Sequence, residues 1–164
     1  MSIVQRDGRP HFLLTRRTET VATHKGQISF PGGVREMQDS SLVVTALRET
    51  EEEIGLSRDR VTVLGEFHDY WAITDHVVRT VVGWVLPPAE YRLHEEEVAY
   101  VLEVPFDFFI GAEPRVEKRL HRGAWHKVYY FDFNGENIWG LTALMIKDFT
   151  DFLLLDEDPK GFNY

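Results

Sequence analysis

The stretch RETEEEIGL, residues 48–56, places four glutamates within five positions and follows them with Ile54, Gly55 and Leu56. If the stretch is helical, glutamates three and four residues apart repel, and each such pair costs the helix roughly 0.2–0.5 kcal/mol. The chain has 164 residues and a hydrophobic fraction of 43%, enough for one domain with a real core. The crowded carboxylates therefore need an explanation that helix formation alone does not supply.

The composition excludes several classes of function. The chain has no cysteine, which rules out disulfides, a thiolate nucleophile and a cysteine zinc site, and which fits a reducing compartment. Its net charge of −9 argues against general nucleic-acid binding, which needs a basic surface. No segment approaches the roughly 18 apolar residues of a membrane span, and the N-terminal stretch lacks the apolar run of a signal peptide. We expect a cytoplasmic protein that binds neither nucleic acid nor membrane; a homodimer is left open.

The hydrophobic pattern predicts a single domain of α/β or α+β class over residues 1–164. A helix is predicted from Ser40 or Ser41 to Ile54, with Gly55 as a left-handed C-cap, and another over residues 141–155. Strands are predicted at residues 11–17, 27–30, 61–67, 79–86 and 100–105. A short helical turn at residues 105–111, a hairpin around Gly123 and a turn at Asn134-Gly135 complete the pattern. The order of the strands does not follow from it.

Helical geometry divides the glutamates between two faces, because successive residues turn by about 100°. Glu49, Glu52 and Glu53 share a face with Arg48 beside the apolar stripe, whereas Glu51 points elsewhere. Three carboxylates on one face suit a hard cation such as Mg²⁺, which takes oxygen ligands and shares them with substrate phosphates. Arg48 can bridge to Glu52 or brace a neighbouring carboxylate. The alternative is a solvated acidic face, since most charge runs are solvated.

The residues upstream of the helix favour the metal interpretation. FPGG, residues 30–33, is a strand running into two glycines, which permit a tight turn and a close approach of backbone N–H groups to a phosphate. Residues 32–56 resemble the Nudix box. Asp39 replaces the usual glutamate, eight residues rather than seven separate it from the arginine, and Thr50 stands where an aliphatic residue is common. The positions that match the box one by one are Arg48, Glu49, Glu52, Glu53, Gly55 and Leu56.

The resemblance extends beyond the box to the coenzyme A pyrophosphatase branch of that family. LLTRRTETVATHKGQISFPGG, residues 13–33, is similar to the segment that precedes the box in this branch, and residues 97–105 resemble a later segment. Four features depart from it. Ala22 stands where the branch usually has arginine, and Thr18 stands where it has serine or alanine. Residues 70–82 fit poorly, and only twelve residues precede the first matching segment, so a first strand would be abbreviated or begin upstream.

The resemblance implies a fold and a reaction. The fold is the Nudix α/β/α sandwich with a mixed central sheet, and the reaction is hydrolysis of a nucleoside diphosphate linked to another moiety. For coenzyme A or acyl-CoA the products would be 3′,5′-ADP and (acyl-)4′-phosphopantetheine. Mg²⁺ or Mn²⁺ would neutralise the pyrophosphate, position the phosphorus and acidify the attacking water. The alternatives are a pyrophosphatase for ADP-ribose or another nucleoside diphosphate conjugate, and a non-catalytic nucleotide-binding domain.

The resemblance also implies roles for individual residues. Metal ligands are expected at Glu49, Glu52, Glu53 and Gly33. Catalytic roles are expected for Glu53, Glu97 and Arg48. Substrate contacts are expected at Arg17, His24, Lys25, Gly26, Phe30 and Gly32.

Two of these assignments choose between neighbours. Glu97 is preferred as general base to Glu95, Glu96 and Glu103, because it matches the glutamate that precedes a valine in the branch. A solvated acidic loop and a base within the box are the alternatives. Arg16 and Arg17 alternate across a predicted strand, so only one can face the site, and the resemblance favours Arg17.

Overall fold

The computed structural model describes residues 1–73, 75–86 and 91–156. Its contacts divide the chain into two compact units, Met1–Pro105 and Phe106–Tyr164. Within the described residues, the first unit holds a six-stranded sheet and one α-helix, and the second holds a three-stranded sheet and two α-helices. Thr74, which belongs to the stretch that departs from the coenzyme A branch, lies outside the described residues.

The sheet of the first unit is mixed. Its elements are β1 (Ser2–Arg6), β2 (Arg9–Arg17), β3 (Ile28–Ser29), helix α1 (Leu42–Ile54), β4 (Val61–Trp71), β5 (Val77–Val85) and β6 (Val98–Pro105). Strand β2 pairs antiparallel with β1 and β3 along one edge and with β6 along the other. Strand β1 also pairs in parallel with β5, which pairs antiparallel with β4. The predicted mixed sheet and α+β class are confirmed.

The first hairpin was missed in the sequence, although a signal for it is present. Asp7 and Gly8 join β1 to β2 with φ values of 48° and 78°. A two-residue type I′ turn needs positive φ at both positions, and Asp-Gly is among its preferred pairs. Strand β4 also continues to Trp71, four residues beyond its predicted end, because it remains paired with β5 up to Val77.

Helix α1 begins and ends where the local signals predict. Ser41 is the N-cap, and its Oγ accepts a hydrogen bond from the N–H of Val44 at 3.2 Å. At the other end Gly55 has φ 68° and donates its N–H to the carbonyl of Glu51 at 2.9 Å. A left-handed glycine of this kind closes the helix and turns the chain back toward the sheet.

The apolar residues at the end of α1 pack on one face of the sheet. Ile54 is fully buried and Leu56 is 2% exposed, and burial of such a side chain contributes roughly 1.5–3 kcal/mol. Their buried neighbours are Val4, Leu13, Val85 and Val98. Arg17 is the last residue of β2, and its Nη1 lies 4.0 Å from Oε1 of Glu53, so its side chain is on the side of the sheet that α1 covers.

Residues 91–97 lie along the C-terminal end of α1. The N–H of Arg92 donates to the carbonyl of Ile54 at 3.0 Å, and the N–H of His94 donates to the carbonyl of Glu53 at 2.9 Å. The segment thus satisfies two of the carbonyls that a helix end leaves unpaired. The N–H of Glu97 then donates to the carbonyl of His94 at 2.8 Å, which fixes the turn that carries the Glu97 side chain.

The second unit is built on a three-stranded antiparallel sheet. Its elements are α2 (Phe106–Gly111), β7 (Arg115–His121), β8 (Ala124–Phe133), β9 (Glu136–Trp139) and α3 (Leu141–Asp156). The predicted short helix, the hairpin around Gly123 and the final helix are confirmed, whereas β9 was not predicted. Phe109 and Phe131 pack edge to face at 5.1 Å, and Ile146 of α3 is fully buried. No helix in the described ranges is long and apolar enough to cross a membrane.

Substitution of Gly55 tests the junction between α1 and residues 91–97. A Cβ on Gly55 would lie 2.6 Å from the Cβ of Arg92 and 2.9 Å from its carbonyl oxygen. Left-handed backbone in a non-glycine residue adds roughly 1–2 kcal/mol of strain. We expect Gly55→Ala to lower the free energy of unfolding in urea by about 3 kcal/mol.

Gly8→Ala is the matched control for this measurement. Gly8 has a φ of 78°, yet a Cβ there would meet no atom within 4 Å. We expect this variant to lose only about 1 kcal/mol. Equal losses in the two variants would show that the contact between Gly55 and Arg92 has no energetic weight.

Candidate active site

Arg17, Glu53 and Glu97 meet at the C-terminal end of α1. One terminal nitrogen of Arg17, Nη1, is 4.0 Å from Oε1 of Glu53, and the other, Nη2, is 4.0 Å from Oε2 of Glu97. These residues come from the end of β2, the last turn of α1 and the segment before β6. Three separate segments therefore bring two carboxylates and one guanidinium together.

Glu53 is a buried carboxylate, with only 6% of its surface exposed. Burial raises its pKa to about 7; the charges of Glu49 and Glu97 act in the same direction, whereas Arg17 and the backbone N–H of Gly32 oppose them. Its Oε2 is buried and has no hydrogen-bond partner among the described residues. An unpaired buried oxygen of this kind is a ready ligand for a cation.

Gly33 lies directly against the carboxylate of Glu49. A Cβ at Gly33 would be 2.4 Å from the carboxylate carbon, so a side chain at this position would collide with Glu49. Burial raises the pKa of Glu49; Arg48 opposes this effect, and Glu52 and Glu97 reinforce it. The absence of a side chain at Gly33 therefore leaves room for the Glu49 carboxylate, and the predicted approach of backbone N–H groups to a phosphate or metal-bound water stays a prediction.

Arg48 forms ion pairs with two of the glutamates of α1. Its Nη1 donates to Oε2 of Glu52 at 2.8 Å, and its Nη2 lies 2.9 Å from Oε1 of Glu49. Both contacts that the sequence suggested for Arg48 are therefore present. The Glu52 side chain is 59% exposed, so it is the outermost of the three predicted glutamate ligands.

Asp39 is the anchor of Arg48, a role that the sequence did not reveal. Its carboxylate accepts hydrogen bonds from Nε and Nη2 of Arg48, both at 3.1 Å, and from the N–H of Glu36 and the hydroxyl of Thr45. Asp39 is 2% exposed, and its hydrogen bonds, first those from Arg48, hold its pKa well below the usual range. The available signal was the aspartate itself, at the place where the box has an acidic residue.

The predicted contacts His24, Lys25 and Gly26 lie in the connection between β2, which ends at Arg17, and β3. The N–H of Arg17 donates to the carbonyl of Gln27 at 2.9 Å, which closes the turn. His24 and Lys25 are exposed at its tip, where Nδ1 of His24 is 2.9 Å from Oε1 of Gln27. Gly26 has φ 61°, so it allows the chain to reverse there.

Phe30 and Glu103 have partners elsewhere. Phe30, which the sequence predicts as a substrate contact, is 9% exposed, and its ring packs edge to face with Phe12 at 5.6 Å. Glu103 accepts hydrogen bonds from Arg6 at 2.7 Å and from the hydroxyl of Tyr91 at 2.8 Å.

Among the candidate bases, Glu97 is the one that lies beside Arg17 and Glu53. Glu95 and Glu96 are exposed on the same segment, and Glu97 is 43% exposed, so solvent reaches it. His94, which the sequence did not single out, lies with its Nδ1 3.5 Å from Oε1 of Glu97.

The donor set fits a hard divalent cation. Glu49 and Glu53 supply carboxylate oxygens, one of which is buried and unpaired, and Gly33 leaves the space that a side chain would fill. Within residues 1–73, 75–86 and 91–156, no three acidic or histidine side chains are already arranged around one metal position. The carboxylates would therefore have to move closer together when a cation binds.

The raised pKa of Glu53 predicts how the stability of the metal-free protein depends on pH. Its ordinary value is 4.5 and its folded value is about 7, so the folded state retains a proton that the unfolded state has lost. Stability should therefore fall as pH rises from 4.5 to 7 and level off above that. We expect Glu53→Gln to stabilise the metal-free protein at pH 8, by up to about 3 kcal/mol in urea.

Glu51→Gln is the control for this experiment, because it removes the same charge from a residue of α1 that pairs with Arg58 at 3.1 Å. Its stability should follow the wild-type profile between pH 4.5 and 7. A Glu53→Gln profile parallel to that of the wild type would contradict the raised pKa.

Solved structures of other proteins share this fold. The Ap4A hydrolase of C. elegans, in a binary complex, aligns with a TM-score of 0.55 over 65% of this chain and 76% of its own, at 16% identity. The MutT protein of Methanosarcina mazei Go1 aligns with a TM-score of 0.51 over 68% of this chain and 78% of its own, at 26% identity.

Sequence comparison identifies the family. A model described as the NUDIX domain matches residues 1–128. An uncharacterized Nudix hydrolase NudL of Photorhabdus laumondii is 37% identical over 139 residues, which are 84% of this chain and 74% of the relative. NudL of Yersinia enterocolitica is 39% identical over 139 residues, 84% of this chain and 71% of the relative. The chain that places these glutamates at the end of α1 therefore belongs to the Nudix hydrolase family.

Proposed function

We propose that this Nudix hydrolase cleaves the pyrophosphate linkage of coenzyme A or an acyl-CoA, with Mg²⁺ or Mn²⁺ as cofactor. The products are 3′,5′-ADP and (acyl-)4′-phosphopantetheine. The observation that carries the proposal is the position of residues 13–33, the segment that resembles the coenzyme A branch. It supplies Arg17, 4.0 Å from both Glu53 and Glu97, and ends at Gly33, which lies against Glu49.

Different residues of the site bind the cation and accept the proton of the attacking water. A divalent cation, when bound, supplies charge neutralisation of the pyrophosphate and acidifies the attacking water. Glu49 and Glu53 would hold that cation through their carboxylate oxygens. Glu97 accepts the proton of the water whose oxygen attacks phosphorus, and the phosphorus–oxygen bond of the anhydride breaks. Glu97 suits this role because solvent reaches its side chain.

Arg48 acts on the carboxylates rather than on the substrate. Its side chain is 12% exposed and is tied to Asp39, Glu49 and Glu52. We therefore propose that Arg48 orients the carboxylates of Glu49 and Glu52. Asp39 in turn holds Arg48 in place. Glu52, which is the most exposed of the three, completes the metal site from the solvent side.

The remaining assignments follow from the same proposal. Residues 1–164 form one catalytic domain, because the NUDIX match over residues 1–128 crosses the boundary between the two compact units at Pro105. A cytoplasmic location agrees with the lack of cysteine. ADP-ribose or another conjugate remains the alternative substrate, because the glutamates act on the anhydride that these molecules share. Ala22 and residues 70–82 are the places where this chain departs from the coenzyme A branch.

A substrate panel tests the proposed reaction. Purified protein with Mg²⁺ or Mn²⁺ should release 3′,5′-ADP from coenzyme A, identified by chromatography, with a higher kcat/KM than for ADP-ribose. Glu53→Gln should lower turnover by about two orders of magnitude or more while remaining folded. A preference for ADP-ribose would support the alternative substrate. Tight binding of coenzyme A without product, whichever metal is present, would support a non-catalytic domain.

Substitution of Glu97 tests the general base. Glu97→Gln should lower kcat by about 10²–10⁴-fold and weaken the acidic limb of the pH–rate profile, because the base is lost. Its affinity for Mn²⁺ should change by no more than a few-fold, since Glu97 is not assigned as a ligand. Glu95→Gln and Glu96→Gln are matched controls on the same exposed segment. Identical behaviour of all three variants would move the base to Glu49, Glu52 or Glu53.

A further inference from the structure

Arg17 is a partly buried cation whose pairing is incomplete. Its side chain is 24% exposed, and its Nε is buried without a hydrogen-bond partner among the described residues. Its terminal nitrogens are 4.0 Å from Glu53 and from Glu97, beyond the 2.7–3.2 Å range of a hydrogen bond. Arg17 therefore neutralises two carboxylates from a distance and is bonded to neither of them.

Other arginines of the same chain pair much more closely. Arg79 donates to both oxygens of Asp69 at 2.7 Å, and Arg48 donates to both oxygens of Asp39 at 3.1 Å. Such forked pairing is the geometry that guanidinium groups favour with carboxylates. The 4.0 Å distances from Arg17 to Glu53 and to Glu97 are longer. They indicate that one guanidinium lies between two carboxylates without hydrogen bonding to either.

A divalent cation would be attracted to the same carboxylates that Arg17 faces. Charge repulsion disfavours the ionised forms of three neighbouring carboxylates, those of Glu49, Glu53 and Glu97. The positive charge of Arg17 lies 4.0 Å from Glu53 and 4.0 Å from Glu97. A cation bound by Glu53 would repel the guanidinium, because positive charges a few ångströms apart interact strongly where solvent is partly excluded. The cation and the guanidinium therefore compete for the same carboxylates.

We propose that Arg17 is the internal counter-ion of Glu53 and Glu97 in the metal-free enzyme, and that the divalent cation displaces it. The inference rests on the proposed function, since it concerns the same glutamates. Once displaced, the guanidinium needs another anionic partner, and the phosphates of the substrate provide one. Binding of the metal and of the phosphorylated substrate is then coupled through Arg17, so that each strengthens the other.

Titration of substrate-free protein with Mn²⁺, followed by electron paramagnetic resonance of the free ion, tests this competition. Arg17→Gln removes the competing charge, so it should bind Mn²⁺ at least about fivefold more tightly than the wild type. If Arg17 only contacted the phosphates of the substrate, its replacement would leave Mn²⁺ affinity unchanged in this experiment, because no phosphate is present. Should Arg17→Gln fail to fold, Arg17→Met makes the same test, since it keeps an unbranched side chain without the charge.

Arg16→Gln is the matched control. Arg16 is the preceding residue of β2, and its guanidinium lies 3.6 Å from Glu19 and 5.9 Å from the ring centre of Tyr100. It carries the same charge as Arg17 at the adjacent position of β2. Its removal should change Mn²⁺ affinity by less than about twofold, which separates local competition from a general effect of net charge.

The predicted coupling gives a second readout. A non-hydrolysed pyrophosphate analogue should tighten Mn²⁺ binding in the wild type more than in Arg17→Gln, because only the wild type has the displaced guanidinium to accommodate. Unchanged or weaker Mn²⁺ binding by Arg17→Gln without substrate would overturn the inference, as would absence of Mn²⁺ binding by both proteins. If coenzyme A is not cleaved but Arg17→Gln binds Mn²⁺ more tightly, the proposed substrate fails and the role of Arg17 stands.

Discussion

Mutual repulsion among carboxylates at the C-terminal end of α1 is the constraint on which the rest of the site depends. Helix dipoles place partial negative charge at this end, and the last turn of α1 contains no basic residue to offset it. Glu53 is buried there as well, so its ionised form loses hydration. A bound cation would offset repulsion, helix dipole and lost hydration together, which is the physical basis for the metal site that we propose.

The surrounding structure keeps the carboxylates together despite their repulsion. Asp39 fixes Arg48, which holds Glu49 and Glu52, and the absence of a side chain at Gly33 leaves room for Glu49. At the end of the helix, the backbone of residues 92 and 94 binds the last carbonyls of α1 and thereby brings Glu97 to the site. Backbone hydrogen bonds and buried ion pairs, rather than the glutamates themselves, determine the geometry of the site.

Local features of this architecture could be predicted from the sequence, and non-local ones could not. The bounds of α1 follow from Ser41 and Gly55, and the shared face of Glu49, Glu52 and Glu53 follows from helical geometry. The strand order depends on pairings between distant segments, which no local pattern encodes. The anchoring of Arg48 by Asp39 depends on the path of the loop before α1, so residue spacing alone does not reveal it.

Anomalous diffraction from crystals grown with Mn²⁺ tests the central claim most directly, because it locates the cation without reference to activity. The account predicts a single strong peak, or a pair of peaks, with carboxylate oxygens of Glu49 and Glu53 about 2.1 Å away, and with the Arg17 guanidinium moved away from Glu53. Saturating Mn²⁺ that produces no peak at these glutamates would contradict the account, and so would a peak there with Arg17 unmoved.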